Sequence, residues 1–124
     1  MPTILVIEDH DDLREVLATA LTANDYEVIE ASNGTEAMAA LTDRSVDLII
    51  TDILMPEKDG LEVLMELKNR DAGIKVIAMS SGGHIGPKFF LDTARTLGAQ
   101  RTFTKPFDMD KLLDAVRELI SSSN

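Results

Sequence analysis

The stretch LIITDILMPEKDG, residues 48–60, says most about the architecture of this chain. Its apolar residues run without alternation, which is typical of a strand that is buried on both faces of a parallel sheet. The run stops at Asp52, and a turn with Pro56 and Gly60 follows. A carboxylate at the end of a buried strand does nothing for packing, so Asp52 is the first candidate for function.

Similar apolar runs alternate with helical patterns along the whole sequence. Five strands are predicted at Thr3–Ile7, Glu27–Glu30, Asp47–Thr51, Lys75–Met79 and Arg101–Thr104. Between and after them, apolar spacing predicts helices around residues 13–21, 35–41, 61–68, 87–97 and 112–120. Asp11 or Asp12 is expected to cap the first helix, and Gly98 to end the fourth. This alternation predicts an α/β fold, a five-stranded parallel sheet with helices on both faces.

Composition limits the classes of function. The 124 residues fit one domain, 1–124, with a core over 3–120 and a polar tail at 121–124. The chain has no cysteine, which excludes disulfides and thiolate chemistry. Its net charge of −10 disfavours direct nucleic-acid binding, because such a surface repels phosphate backbones. No stretch has the length of a signal peptide or membrane span, so a cytoplasmic protein without membrane contact is expected.

Polar residues stand at the carboxyl ends of four predicted strands. In open parallel sheets, ligands bind at that edge. The residues concerned are Glu8 and Asp9, Asp52, Ser80, and Lys105 followed by Pro106. Three carboxylates at one edge predict a hard divalent cation, Mg²⁺ or in its place Mn²⁺. A carboxylate can also attack phosphorus, and a cation, an ammonium and a hydroxyl would stabilise the transferring phosphoryl group.

Four motifs in order carry a family resemblance over nearly the whole chain: ILVIEDHDD, DLIITDILMPEKDG, VIAMS and FTKPF. With them the sequence resembles the receiver domain of bacterial response regulators, the phospho-accepting part of two-component signalling. The resemblance implies a flavodoxin-like, doubly wound sheet of strand order 2-1-3-4-5 with five helices.

The resemblance also implies roles for residues. Asp52 would be the phosphorylated residue, with Ser80 and Lys105 in contact with the phosphoryl group. The peptide bond before Pro106 would be cis. Mg²⁺ would be held by Glu8, Asp9, Asp52 and the backbone carbonyl of Leu54.

The implied partners are proteins. The phosphoryl donor would be a histidine kinase or histidine phosphotransfer protein that docks around the first helix and the loop after strand five. The output face would consist of the fourth helix, strand five and the fifth helix. It would contact a downstream protein or, in a homodimer, a second copy of the chain. Alternatively, the phosphoryl group would be relayed onward to another carrier. The chain would catalyse its own phosphotransfer and autodephosphorylation without being an enzyme in the usual sense.

The sequence departs from the family pattern in the switch region. Many members carry an aromatic residue three positions before the strand-five lysine, where this chain has Thr102. Phe103 is one residue later and should face the opposite side of the strand. The glycine-rich segment before the fourth helix, residues 81–90, is expected to move on phosphorylation with Phe89 or Phe90 repacking. Neither His10 nor His84 is expected to have a role.

Two other functions compete with the receiver. A metal-dependent phosphatase of the haloacid dehalogenase type would also form an aspartyl phosphate, but it carries a second Asp two residues after the nucleophile, where this chain has Leu54. A binding module of receiver fold that takes no phosphate would fail to bind Mg²⁺.

Overall fold

A computed structural model describes residues 1–53, 60–70, 73–80 and 87–121, and the side chains of all of these except 60, 61 and 87–91. Strands and helices alternate in these ranges. The strands are β1 (Thr3–Ile7), β2 (Glu27–Ala31), β3 (Leu48–Asp52), β4 (Lys75–Ser80) and β5 (Arg101–Thr104). The helices are α1 (Asp11–Ala23), α2 (Gly34–Asp43), α3 (Gly60–Arg70), α4 (Pro87–Thr96) and α5 (Met109–Ser121).

The five strands form one parallel sheet in the order β2-β1-β3-β4-β5. Fold class and strand order are therefore confirmed. The main difference from the predicted bounds is at β3, which begins and ends one residue later than expected. Asp47 lies just before the strand, where its carboxylate accepts a hydrogen bond from the Thr3 N–H at 2.7 Å. Asp52 is the last residue of the strand.

Each face of the sheet has its own apolar core, as continuous apolar strands require. On β1, Leu5 and Ile7 pack toward one core, and Ile4 and Val6 pack toward the other. The first core is completed by α2, α3 and α4, through residues such as Ala37, Val63, Leu64 and Ala94. The second is completed by α1 and α5, through Leu17, Leu21, Leu112 and Val116. No helix among the described residues is long and apolar enough to cross a membrane.

The predicted cap of α1 is wrong. His10 occupies the N-cap position and makes no side-chain capping hydrogen bond, while Asp11 and Asp12 lie in the first turn. The carboxylates still favour the helix because negative charge interacts well with the N-terminal end of its dipole. α2, in contrast, has side-chain caps at its start: the Asn33 side chain accepts from the Glu36 N–H at 2.9 Å, and Glu36 accepts from the Ser32 N–H at 2.7 Å.

Gly98 ends α4 as predicted. Its φ angle is +116°, a region that residues with a Cβ rarely adopt. The Gly98 N–H donates to the Arg95 carbonyl at 3.0 Å and the Ala99 N–H donates to the Ala94 carbonyl at 2.9 Å. These two bonds form a Schellman motif, which satisfies carbonyls at the helix end and turns the chain into β5.

Substitution Gly98→Ala is expected to lower the free energy of unfolding by about 1–2 kcal/mol, the cost of a left-handed conformation for an L-residue. An added Cβ would also lie 2.6 Å from Lys68 Cε. Urea unfolding of Gly98→Ala in the wild-type and Lys68→Ala backgrounds separates the two effects, because the backbone cost persists when Lys68 is truncated. Equal stability of Gly98→Ala and wild type would contradict this account of the helix end.

Candidate functional site

The strand order brings the predicted polar residues to one edge of the sheet. Asp52 and Ser80 are the last residues of the neighbouring strands β3 and β4. Glu8 follows β1 directly, and Lys105 follows β5. The Lys105 N–H donates to the Ser80 carbonyl at 3.0 Å, which continues the β4–β5 pairing by one residue and fixes where the lysine leaves the sheet. The peptide bond between Lys105 and Pro106 is cis.

The centre of the site is a lysine held between two buried carboxylates. Lys105 Nζ lies 2.5 Å from Glu8 Oε1 and 3.1 Å from Asp52 Oδ2. The Glu8 side chain is fully buried and that of Asp52 is 5% exposed. Burial lowers the pKa of Lys105, but hydrogen bonds and charge attraction from Glu8 and Asp52 outweigh it and raise the pKa above 10.5. The lysine therefore stays cationic across the neutral range.

The second oxygen of Glu8 is bound to the start of α1. Glu8 Oε2 accepts from the His10 N–H at 3.1 Å, and His10 Nδ1 lies 3.3 Å from the same oxygen. Both oxygens of this buried carboxylate are thus in use. The His10 side chain itself is 74% exposed.

Asp9 is the carboxylate with an unused oxygen. Asp9 Oδ1 is buried and has no hydrogen-bond partner among the described residues, although His10 Nδ1 is 3.4 Å away. The pKa of Asp9 is raised, first by burial and then by Glu8, which shares a hydrogen bond with the protonated form and repels the ionised one; His10 opposes this shift. An ionised, buried oxygen without a partner is a position that a cation would satisfy.

The donor atoms fit a divalent cation. One ligand atom each from Glu8, Asp9 and His10 lie within 4.8 Å of one another. Carboxylate oxygens suit Mg²⁺ or Mn²⁺, and the orphaned Asp9 Oδ1 is the atom with free coordination capacity. Asp52 lies near this group, because Lys105 Nζ contacts both Glu8 and Asp52. Leu54, predicted to contribute its backbone carbonyl, lies outside the described residues.

Of the remaining predicted residues, Ser80 lies at the site, and Thr102 and Phe103 lie on β5. Ser80 is fully buried at the same edge. Thr102 Oγ1 accepts a hydrogen bond from Arg95 of α4 at 2.8 Å. Phe103 packs with the α1–α5 core, and its ring centroid lies 6.0 Å from that of Phe107 in an edge-to-face arrangement. Thr102 and Phe103 thus face opposite sides, as alternation predicts. Residues 81–86 and the side chains of Phe89 and Phe90 lie outside the described residues.

Two contacts at the site were not anticipated from the sequence. His10 was expected to have no role, yet its ring nitrogen reaches Glu8 and Asp9. The sequence signal was its position directly after the acid pair. Arg14 donates to the backbone carbonyl of Glu8 at 2.8 Å, a contact that depends on loop conformation and has no sequence signature.

Sequence comparisons match nearly the whole chain to known proteins. The family model described as "Response regulator receiver domain" matches residues 4–117. Sporulation initiation phosphotransferase F of Bacillus subtilis is 32% identical over 117 residues, which cover 94% of this chain and 92% of that protein. Chemotaxis protein CheY of the same organism is 34% identical over 119 residues, which cover 95% of this chain and 97% of that protein.

Solved structures give the same result. The response regulator protein TrrA of Thermotoga maritima, in complex with Mg(2+)-BeF, superposes with a TM-score of 0.84 at 33% identity, covering 96% of this chain and 99% of that one. The receiver domain of Francisella response regulator 1452 superposes with a TM-score of 0.90 at 25% identity, and all of both chains is covered. The chain therefore belongs to the response regulator receiver domain family, whose members act in two-component and phosphorelay signalling.

Proposed function

We propose that this chain accepts a phosphoryl group on Asp52 from a phosphohistidine protein, in a reaction that requires Mg²⁺, and so switches its contacts with other proteins or relays the phosphoryl group. The observation that carries the proposal is the position of Lys105 Nζ, 3.1 Å from Asp52 Oδ2 at the edge of the sheet. A buried carboxylate with a fixed ammonium beside it is prepared for an added phosphoryl dianion, since the cation is already in place.

The transfer step uses residues of the described site. A carboxylate oxygen of Asp52 attacks phosphorus, and an acyl phosphate bond forms as the P–N bond of the donor phosphohistidine breaks. The imidazole nitrogen keeps the electron pair of that bond and takes a proton. Lys105 holds one phosphoryl oxygen, and the Ser80 hydroxyl donates a hydrogen bond to another. The buried β3 holds Asp52 in position, so little reorganisation is needed during the step.

Glu8, Asp9 and Asp52 are the residues that would hold Mg²⁺, with Leu54 contributing its carbonyl. The ion would supply charge neutralisation for the phosphoryl oxygens. The Mg(2+)-BeF complex of the related TrrA supports this assignment, and so does the partnerless Asp9 Oδ1 in this chain.

The site favours self-catalysed transfer over a phosphatase. A phosphatase of the dehalogenase type needs a second acid two residues after the nucleophile, and Leu54 has no proton to exchange. We therefore assign the chain a signalling role in the cytoplasm, in which phosphotransfer and autodephosphorylation are its own chemistry. The relative named as a sporulation phosphotransferase is consistent with onward relay of the phosphoryl group.

A recess beside the site offers a docking place for the donor. It has a volume of about 500 Å³ and is lined by Leu13, Val16, Lys105, Pro106, Phe107 and Met109. The lining is mostly apolar, and Val16 is 54% exposed. A helical donor protein that covers this recess would place its phosphohistidine near Lys105, because the lysine is common to recess and site.

The output face is proposed to be α4, β5 and α5. On this face Arg95 of α4 is hydrogen-bonded to Thr102 of β5, so a shift of α4 would alter both the helix and the strand edge. A downstream protein or a second copy of the chain would read this change.

The function is tested by intact-mass spectrometry after incubation with Mg²⁺ and acetyl phosphate. The wild-type protein is expected to gain one phosphoryl group, and Asp52→Asn to gain none. Omission of Mg²⁺ should also abolish the gain. Equal labelling of wild type and Asp52→Asn would contradict the assignment of Asp52. Wild-type protein that neither gains a phosphoryl group nor binds Mg²⁺ would favour the binding module.

Asp9→Asn is expected to stabilise the metal-free fold at neutral pH by on the order of 1 kcal/mol, while it weakens Mg²⁺ binding. The raised pKa of Asp9 means that its ionised form is less favourable in the folded than in the unfolded chain. This increase in the free energy of unfolding should therefore disappear as the pH falls below about 3.8, where Asp9 is protonated in both the folded and the unfolded state. Thermal unfolding with EDTA, followed by circular dichroism across pH, measures this. A destabilised Asp9→Asn at neutral pH would refute the argument.

Val16→Asp should slow transfer from a phosphohistidine protein about tenfold or more, because it places a charge in the apolar recess. Labelling by acetyl phosphate should be unchanged, since that donor needs no docking surface. Met65→Asp on α3 is the matched control, as Val16 and Met65 are 54% and 52% exposed. The donor is a purified histidine kinase selected for transfer to the wild type. Equal slowing by both variants would argue against docking at this recess.

A further inference from the structure

Arg14 lies near the start of α1 and is not part of the transfer chemistry. Its side chain is only 17% exposed, which is unusual for an arginine on a surface helix. Its guanidinium reaches three different parts of the chain. Nη1 donates to the Glu8 carbonyl at 2.8 Å, Nη2 donates to Asp11 Oδ1 at 2.6 Å, and Nε lies 3.4 Å from Glu30 Oε1 at the end of β2.

These contacts hold the loop that carries the acids. Glu8 and Asp9 sit between the last residue of β1 and the N-cap of α1, outside both elements. The peptide unit joining Glu8 to Asp9 contains the carbonyl that Arg14 binds. On its other side, the Glu8 N–H donates to the Ala31 carbonyl of β2 at 3.0 Å. The backbone of Glu8 is thus fixed at both its N–H and its carbonyl, and the direction of the next residue, Asp9, follows from that orientation.

Geometry and charge predict opposite effects when Arg14 is removed. Arg14 carries a permanent positive charge and contacts the backbone carbonyl of Glu8, one of the proposed cation ligands, so by charge alone its loss should strengthen Mg²⁺ binding. If Arg14 instead sets the orientation of the Glu8–Asp9 peptide, its loss should weaken binding, because metal ligands held by fewer second contacts lose affinity.

We propose that Arg14 is a positioning residue for the Glu8–Asp9 acid pair, which it orients for a divalent cation through the Glu8 carbonyl while Asp11 and Glu30 hold the guanidinium in place. This inference rests on the proposed function, in which that acid pair holds Mg²⁺. Arg14 does not touch the phosphoryl group or the ion. Its effect is transmitted through one peptide unit.

The experiment is isothermal titration calorimetry of the full chain with MgCl₂, for wild type, Arg14→Met and Arg14→Lys. Arg14→Met is expected to raise the Mg²⁺ dissociation constant about tenfold, the lower end of the effect of losing a contact behind a metal ligand. Arg14→Lys keeps the charge but cannot make all three contacts, so it should also bind more weakly than wild type. Unchanged or tighter binding by Arg14→Met, or wild-type affinity of Arg14→Lys, would overturn the proposal.

Arg117→Met is the matched control. Arg117 also pairs with an aspartate three residues earlier on a helix, but its side chain is 64% exposed and lies on α5. Its substitution should leave the Mg²⁺ dissociation constant unchanged. Far-ultraviolet circular dichroism and thermal unfolding of each variant exclude a general loss of structure, and Arg14→Lys serves if Arg14→Met does not fold.

The wild-type titration separates this inference from the proposed function. A wild-type chain that binds no Mg²⁺ contradicts both. A wild-type chain that binds Mg²⁺ with an affinity independent of residue 14 contradicts only the role of Arg14.

Discussion

The ion triad of Glu8, Lys105 and Asp52 is the interaction on which the site depends. Lys105 Nζ lies within 3.1 Å of both carboxylates, which are almost entirely removed from water. Such a group is costly to bury, and it is tolerated only when every charge has a partner. Removing the lysine would leave two buried carboxylates facing each other. The arrangement therefore joins the loop after β1, the end of β3 and the loop after β5 into one unit, although they are far apart in sequence.

The triad also explains the division of tasks within the site. Glu8 has both oxygens engaged, Asp52 is paired with the lysine, and Asp9 has the one buried oxygen without a hydrogen-bond partner among the described residues. A phosphoryl group on Asp52 would compete with Glu8 for Lys105. A divalent cation would bind to Oδ1 of Asp9. Charge that is balanced internally in the resting protein can in this way be redistributed when ligands arrive, which is what a switch requires.

Much of this could be predicted from the sequence, and the reasons are physical. Continuous apolar runs gave the strands because a parallel sheet is covered on both faces, and parallel strands bring residues such as Asp52 and Ser80 to a common edge. The side chains of Thr102 and Phe103 were expected on opposite faces of the sheet because successive side chains of a strand alternate between its two faces. The strand order itself came from family resemblance, since many orders satisfy the same alternation.

Other features depend on tertiary contacts that leave no local pattern. Asp11 or Asp12 was expected to cap α1, but both lie in the first turn of the helix and Asp11 pairs with Arg14. Side-chain chemistry alone therefore did not locate the helix start. The contact of Arg14 with a backbone carbonyl requires the loop conformation to be known. The ring of His10 was overlooked because an exposed histidine usually has no partner, and only the fold of the loop brings it to the acid pair.

The central claim is that Asp52 is the residue that carries the phosphoryl group. The most direct test is to react the phosphorylated protein with sodium borohydride, which reduces an aspartyl phosphate to homoserine, and to map the change by peptide mass spectrometry. We expect homoserine at position 52 in protein treated with Mg²⁺ and a phosphoryl donor, and aspartate there in protein treated without the donor. Homoserine at Asp9 or another position, with Asp52 unmodified, would contradict it.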